Sequence, residues 1–414
     1  MHDGRVGRRV PVIVVLMIGV VVASCLDHAD LPVEPGPGEL MDRYVALGNS
    51  ITAGFQSGGI HLEMQHQAYP VLLAGMAGAQ FSVPELAYPG CPPPLAAPLS
   101  AERVGPGVCA GRVSPPPPLV QNMAVPGATT EDALSVTGTG TGLDLMILGA
   151  RSQVEAMLDA RPTLVSVWLG NNDALRAALA GDSTLLTPLD RFQSAYDQVV
   201  SAIRSTPAQD AILVGVADAT TTAPALQPGA YFWGLSRLPD PPIAVQVSER
   251  CAPFSADGTP NPGGLDRLVS FQAVFEHLAG GGTGPVTIDC DVGAPFTLDA
   301  AEQQAISRRV QEFNAHIRQR AEENGWIYVD PGTALLEPAL ADPDLVRRCQ
   351  HLPAAHDEES FFQALLTSCP VPDAPGFFGA LFSYDGVHPS AAGHTVIADT
   401  LAGRLNARHG LSIR

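Results

Sequence analysis

Tyr44-Val45-Ala46-Leu47-Gly48-Asn49-Ser50-Ile51-Thr52-Ala53-Gly54 is a short apolar run that ends in glycine and hands a serine to the start of a helix. A run of this kind, bounded by polar residues, is the pattern of a strand buried on both faces. Gly48 and Gly54 allow the tight turn. Ser50 therefore falls just beyond the carboxyl end of a strand, where open α/β sheets place their sites. Taken alone, a serine at such a turn is more often a helix cap. It is also not the G-x-S-x-G elbow, because Thr52 stands where the second glycine would be.

Three further runs have the same character: Thr163 to Leu169, Ala211 to Val216 and Trp326 to Val329. A fifth strand is expected near Phe81 to Leu86. Between these runs the sequence predicts helices over Leu143 to Ala160, Asp190 to Ser205 and Ala300 to Asn324, with a last one after Pro389 reaching Arg408. The alternation argues for an α/β fold with a central parallel sheet of about five strands covered by helices. At 414 residues with 46% hydrophobic content, one large catalytic domain over 42–414 is the expectation. Stretches near 57–119, 220–298 and 332–382 break the alternation. Loops that long fold as subdomains, are stapled, or shape a binding site.

All 23 basic residues are arginine. Without lysine there is no P-loop lysine, no Ser-Lys dyad and no Schiff base on a protein amine. The net charge of −19 makes nucleic acid a poor partner.

At the amino terminus, Arg5, Arg8 and Arg9 precede an apolar run from Val10 to Val22, too short for an ordinary membrane span. Residues 1–24 read as an export signal. The sequence Val22-Ala23-Ser24-Cys25 resembles a bacterial lipobox, which implies lipidation of Cys25 and a membrane partner through that anchor. Leu26 after the cysteine favours the outer membrane or cell surface over the inner membrane. Residues 25–41, rich in proline, glycine and acidic side chains, suit a flexible tether. Of seven cysteines, Cys25 apart, six remain, an even number outside the reducing cytosol. Each neighbouring pair closes a Pro- or Gly-rich insertion, which favours Cys91 with Cys109, Cys251 with Cys290, and Cys349 with Cys369. No C-x-x-C pair supports zinc, and the two histidines of His61-Leu62-Glu63-Met64-Gln65-His66 have the wrong spacing for a metal motif.

Asp385-Gly386-Val387-His388-Pro389-Ser390 supplies what Ser50 lacks by itself. A carboxylate three residues before a histidine can accept from one ring nitrogen while the other faces a serine. That pair provides the base an unactivated hydroxyl requires. The other histidines fit less well: His394 reads as a helix-surface residue, and His316, His351 and His356 lack a matching loop. Two segments offer donors for the anion formed on attack. Gly170-Asn171-Asn172-Asp173 follows a strand, and Asn122-Met123-Ala124-Val125-Pro126-Gly127-Ala128-Thr129 ends in a glycine expected to open a helix.

Ser, Gly, Asn and His thus occur in the order and local context of the SGNH hydrolases, the GDSL-like lipases and esterases, over most of 42–409. By that resemblance Ser50 is the nucleophile, the Ser50 and Gly127 amides and the Asn172 side chain form the oxyanion hole, and Asp385 with His388 is the base. The resemblance also implies a flavodoxin-like three-layer α/β/α sandwich and no metal or organic cofactor. One departure stands out: the family usually carries Gly-Asp-Ser where this chain has Gly48-Asn49-Ser50. The expected function is hydrolysis of a small-molecule or lipid carboxylic ester through an acyl-Ser50 intermediate. The alternatives are an O-acyl transferase or deacetylase acting on a cell-envelope glycan, and a non-catalytic binding lipoprotein. Tyr231-Phe232-Trp233 reads either as an acyl-groove lining or as the core of a subdomain.

Overall fold

The structure, a computed structural model, describes residues 37–113, 119–136, 138–241, 243–282, 284–349, 352, 355–371 and 376–414, together with Met1 and His2. Residues 3–24 of the export signal, Cys25 and most of the tether lie outside the described residues, as does His351. The last tether residues do not conform to expectation. Pro37–Met41 is a helical turn with Leu40 and Met41 buried, because these two apolar side chains join the core under one face of the sheet.

Four of the apolar runs form one parallel sheet, β1 (Tyr44–Gly48), β2 (Leu164–Trp168), β3 (Asp210–Val214) and β4 (Ile327–Val329), in the order β1-β2-β3-β4. Every residue of β1, β2 and β3 is buried. Side chains alternate between faces along a strand, and the two sets find different cores. Val45, Leu47, Val165, Val167, Ala211 and Leu213 pack against helices Gln153–Ala160, Asn171–Ala180, Leu189–Arg204 and Ala300–Asn324. On the opposite face Tyr44, Ala46, Leu164, Trp168, Ile212 and Val214 meet helices Tyr69–Met76 and Ala391–His409. The result is a three-layer α/β/α sandwich.

The fifth strand position is filled by a different segment from the one expected. The backbone at 121–125 runs beside β1, with Ala46 N donating to Gln121 O, and Met123 N and Val125 N donating to Ala46 O and Gly48 O. Residues 81–86 lie one step further out: Ser82 O accepts from the Gln121 and Asn122 amides, and Pro84 has no N–H to give a ladder. The helix expected over 143–160 is two helices, Leu143–Leu148 and Gln153–Ala160. Gly149, at φ +69°, ends the first, and Ser152 caps the second in a box with Glu155. Ala300–Asn324 is as expected, opened by a capping box of Asp299 and Glu302.

Insertions 220–298 and 332–382 share a second core, in which Tyr231, Phe232, Phe271, Phe361 and Phe378 are buried. Tyr231 and Phe232 are thus subdomain core, with Trp233 packed against it. The cysteines pair as Cys91–Cys109, Cys251–Cys290 and Cys349–Cys369. Two of these bridges lie within the second core. Because Cys251–Cys290 closes a separation of 39 residues, its removal releases about 4 kcal/mol of unfolded-state constraint. Replacing both cysteines by alanine is expected to lower the unfolding free energy of the oxidised protein by that order, with a lower denaturant midpoint. An unchanged midpoint would show that the bridge does not constrain the unfolded chain.

Candidate active site

The β1 strand delivers Ser50 through a turn with little space. A Cβ at Gly48 would lie 2.2 Å from Thr52 Oγ1, so only glycine fits. Both backbone groups of Gly48 are held by one side chain: Gln153 Oε1 accepts from its N–H and Gln153 Nε2 donates to its carbonyl, each at 2.9 Å. Asn49 caps the short helix Ser50–Ala53 by accepting from Ile51 N at 3.1 Å. Gly54, at φ +87°, closes it.

At the other end of the chain, residues 383–390 fold back on themselves. Ser383 N donates to His388 O and Gly386 N to Ser383 O. Gly386, at φ +68°, passes so close to Ala225 N and Phe378 that a Cβ would meet each at 2.9 Å. The turn wraps Asp385 in donors. Its Oδ1 accepts from Val387 N and His388 N, each at 2.9 Å, and its Oδ2 from Gly58 N at 2.7 Å. The His388 ring completes the set, with Nδ1 2.9 Å from Asp385 Oδ2 and Nε2 2.8 Å from Ser50 Oγ. Burial by itself would raise the Asp385 pKa, but the His388 charge, its Nδ1–H and the two backbone amides pull it down to about 2. The carboxylate is therefore ionised at neutral pH and accepts from Nδ1–H, and in the neutral ring the Nε2 lone pair then faces the Ser50 hydroxyl. Phe55 packs against the imidazole at 4.8 Å between ring centres.

Ser50, Gly127, Asn172 and His388 line one cavity of about 410 Å³. Among the described residues the Ser50 and Gly127 amides have no protein acceptor. Gly127 does not open a helix as expected. It sits in a turn at φ +86°, so its donor is a single amide without a helix behind it. Asn172 Nδ2 donates to Ala128 O at 2.9 Å, which orients the amide and leaves its second hydrogen available.

Asp173, to which the sequence assigns no role, links these donors. Its Oδ2 accepts from Thr130 N at 2.9 Å and Thr130 Oγ1 at 3.1 Å. It thereby ties the residue after Asn172 to the segment after Gly127. Gln153 was also missed. Neither carries a local signal, because their partners lie 43 and 105 residues away. His394 is a correction: it is fully buried, and its Nδ1 accepts from Tyr69 N at 3.3 Å. Burial first, and then the charge of His388, lower its pKa to about 3. His61 caps helix Leu62–His66 through Nδ1.

A hydroxyl, an imidazole and a carboxylate in line, at the carboxyl end of a parallel sheet, are the chemistry of a serine ester hydrolase. The chain belongs to the GDSL-like lipase/acylhydrolase family, whose profile matches residues 44–401. Among curated proteins none matches it in sequence. Similar solved structures include a catalytic mutant of Axe2, an acetylxylan esterase from Geobacillus stearothermophilus, at 16% identity and TM-score 0.36 over 92% of this chain and 99% of that one. Another is LAE5, an alpha/beta hydrolase enzyme from the metagenome of Lake Arreo, at 15% identity and TM-score 0.35 over 88% and 95%. The substrate named for Axe2 is a property of that enzyme.

Burial raises the Asp173 pKa to about 6 against the Thr130 bonds that lower it. The folded state then binds this proton more tightly than the unfolded one. The stability it contributes is complete below pH 3.8 and is lost as pH rises through 6. Asp385 has the opposite sign, its contribution being present above pH 3.8 and lost as pH falls through 2. Asp173→Asn keeps an acceptor for Thr130 without the charge. Relative to the parent, it is expected to gain about 2 kcal/mol of unfolding free energy between pH 4 and 7. Urea melts across that range check this, and a constant difference would refute it.

Proposed function

We propose that this chain hydrolyses carboxylic esters through an acyl-Ser50 intermediate, with His388 and Asp385 as base and orienter and the Ser50 amide, Gly127 amide and Asn172 side chain as oxyanion donors. The observation that carries this reading is the unbroken line Ser50 Oγ, His388 Nε2, His388 Nδ1, Asp385 Oδ2 at 2.8 and 2.9 Å. As Ser50 Oγ bonds to the carbonyl carbon, its proton passes to Nε2 and the carbonyl oxygen takes the charge. Collapse breaks the bond to the alcohol, which leaves with the proton from Nε2. Water then repeats the sequence on the acyl-enzyme, giving the acid and free Ser50.

The same protein is exported and anchored to the cell envelope through lipid on Cys25, at the outer membrane or cell surface. The basic-then-apolar start of the chain supports this. So do three disulfides, which are rare in a reducing cytosol.

Covalent labelling by a fluorophosphonate is expected for the parent and absent for Ser50→Ala; undiminished labelling of the variant overturns the assignment. Asp385→Asn presents an amide to Nδ1, favours the wrong tautomer, and is expected to lower kcat by about 10⁴-fold. For the anchor, Cys25→Ala expressed from the full sequence is expected to move from the membrane fraction to the soluble exported fraction. Retention in the membrane fraction contradicts lipidation.

A further inference from the structure

Two cavities meet at the nucleophile. Ser50, Asn172, Leu175, Val387 and His388 line both, and from there the cavities diverge. The first, about 100 Å³, lies among Trp168 of β2, Leu335, Leu381, Phe382 and Ile397, with Asn49 and Asn171 beside Ser50. Among the described residues His388 is the only ionisable side chain that lines it. The second is the cavity of about 410 Å³ described above, and it reaches insertion 57–119 and helix Gln272–Ala279. Among apolar neighbours such as Phe275 it carries Ser100, Arg103, Gln272 and Glu276. One terminal nitrogen of Arg103 donates to Gly58 O at 2.7 Å and Pro93 O at 2.8 Å. The other guanidinium N–H groups have no acceptor among the described residues.

We propose that the first cavity holds the acyl chain and the second the alcohol of an amphiphilic ester, so that the substrate class is a medium- or long-chain acyl ester of a small, hydroxyl-rich alcohol. This rests on the acyl-Ser50 reading above. A hydrocarbon chain gains from leaving water against the mainly apolar lining of the first cavity, whereas an alcohol that leaves water needs replacements for its hydrogen bonds. In the second cavity the unpaired donors of Arg103 and the oxygen atoms of Ser100, Gln272 and Glu276 can replace them. The two halves of the reaction fit the same division. Gly127 and Asp385 line only the second cavity, so the alcohol can leave and water can enter there beside His388 while the chain on Ser50 stays buried.

The test is kcat/KM for p-nitrophenyl esters from acetate to octanoate. For the parent a rise of about three- to fourfold per methylene is expected until the chain fills the cavity, roughly a hundredfold or more overall. Leu336 and the 38%-exposed Val396 line the first cavity, where substitution spares the deep core. Leu336→Trp and Val396→Trp are each expected to lower the octanoate-to-acetate ratio by about tenfold or more, the loss of two or three methylene contacts. Leu366→Trp, at an exposed position outside both cavities, leaves the ratio unchanged. Monooctanoyl glycerol is expected to be hydrolysed at about tenfold higher kcat/KM than methyl octanoate, the worth of one or two added hydrogen bonds. A flat chain-length profile in the parent, ratios insensitive to both tryptophans, or equal rates for the two octanoates overturns the proposal. If the parent is labelled by fluorophosphonate, such a result removes this inference alone; if it is not labelled, the acyl-Ser50 reading fails first.

Discussion

The bond from Ser50 Oγ to His388 Nε2 spans 338 residues of sequence, and neither segment by itself enforces it. A set of contacts beside it brings the two ends together. Gly58 N donates to Asp385 Oδ2, Ser57 N to Ser383 Oγ, and Tyr384 N to Ser57 Oγ. The segment that follows the nucleophile is thus stitched directly to the loop that carries the base. Each such bond is worth only about 1 kcal/mol net, so the register depends on the set and not on any one member. The set in turn depends on insertion 57–119 holding its shape, to which Arg103 contributes by bridging Gly58 O and Pro93 O, and the Cys91–Cys109 bridge by closing the same insertion. The first of the three long insertions is therefore part of the active-site framework.

The portions of the fold legible in the sequence are those whose cause is local. The four sheet strands show as short apolar runs because each is buried on both faces, and the observed bounds fall within two residues of the runs at every edge. Helix Ala300–Asn324 carries its own cap in Asp299 and Glu302. The motif around Asp385 and His388 was legible because the carboxylate and the ring sit three residues apart, a spacing one turn can close. Pairing of the cysteines was legible for the same reason, since each bridge closes a single insertion.

What was hidden is long-range. The segment that runs beside β1 was misplaced because 81–86 and 119–125 are both irregular and apolar, and only the packed structure shows which one meets Ala46. His394 resembles any polar residue in the first turns of a helix. It is buried because Tyr69, from a helix 325 residues earlier, presents its amide to the ring. Asp173 and Gln153 make their decisive bonds to Thr130 and Gly48, and no spacing rule links either pair. The aromatic triplet at 231–233 had two readings. The choice fell to the core because Phe271, Phe361 and Phe378 converge on it from other parts of the two insertions.

Asn49 shows how the site tolerates a departure from the usual family residue. The turn after β1 requires an oxygen to accept from Ile51 N, and the Asn49 side chain supplies one at 3.1 Å. Either an aspartate or an asparagine meets that need. They differ in what else they bring to a position that is 1% exposed. An ionised carboxylate there would be desolvated, and it would set a negative charge one residue from Ser50, beside which the substrate carbonyl oxygen takes up negative charge in the transition state. The amide carries no charge, at the cost of leaving Nδ2 buried without an acceptor among the described residues, a penalty of about 1 to 3 kcal/mol. That cost falls on folding, where the disulfides and two packed cores can absorb it. The electrostatic benefit falls at the reacting atoms, where Asp385, shielded from Ser50 by the imidazole between them, is the carboxylate bonded to the base.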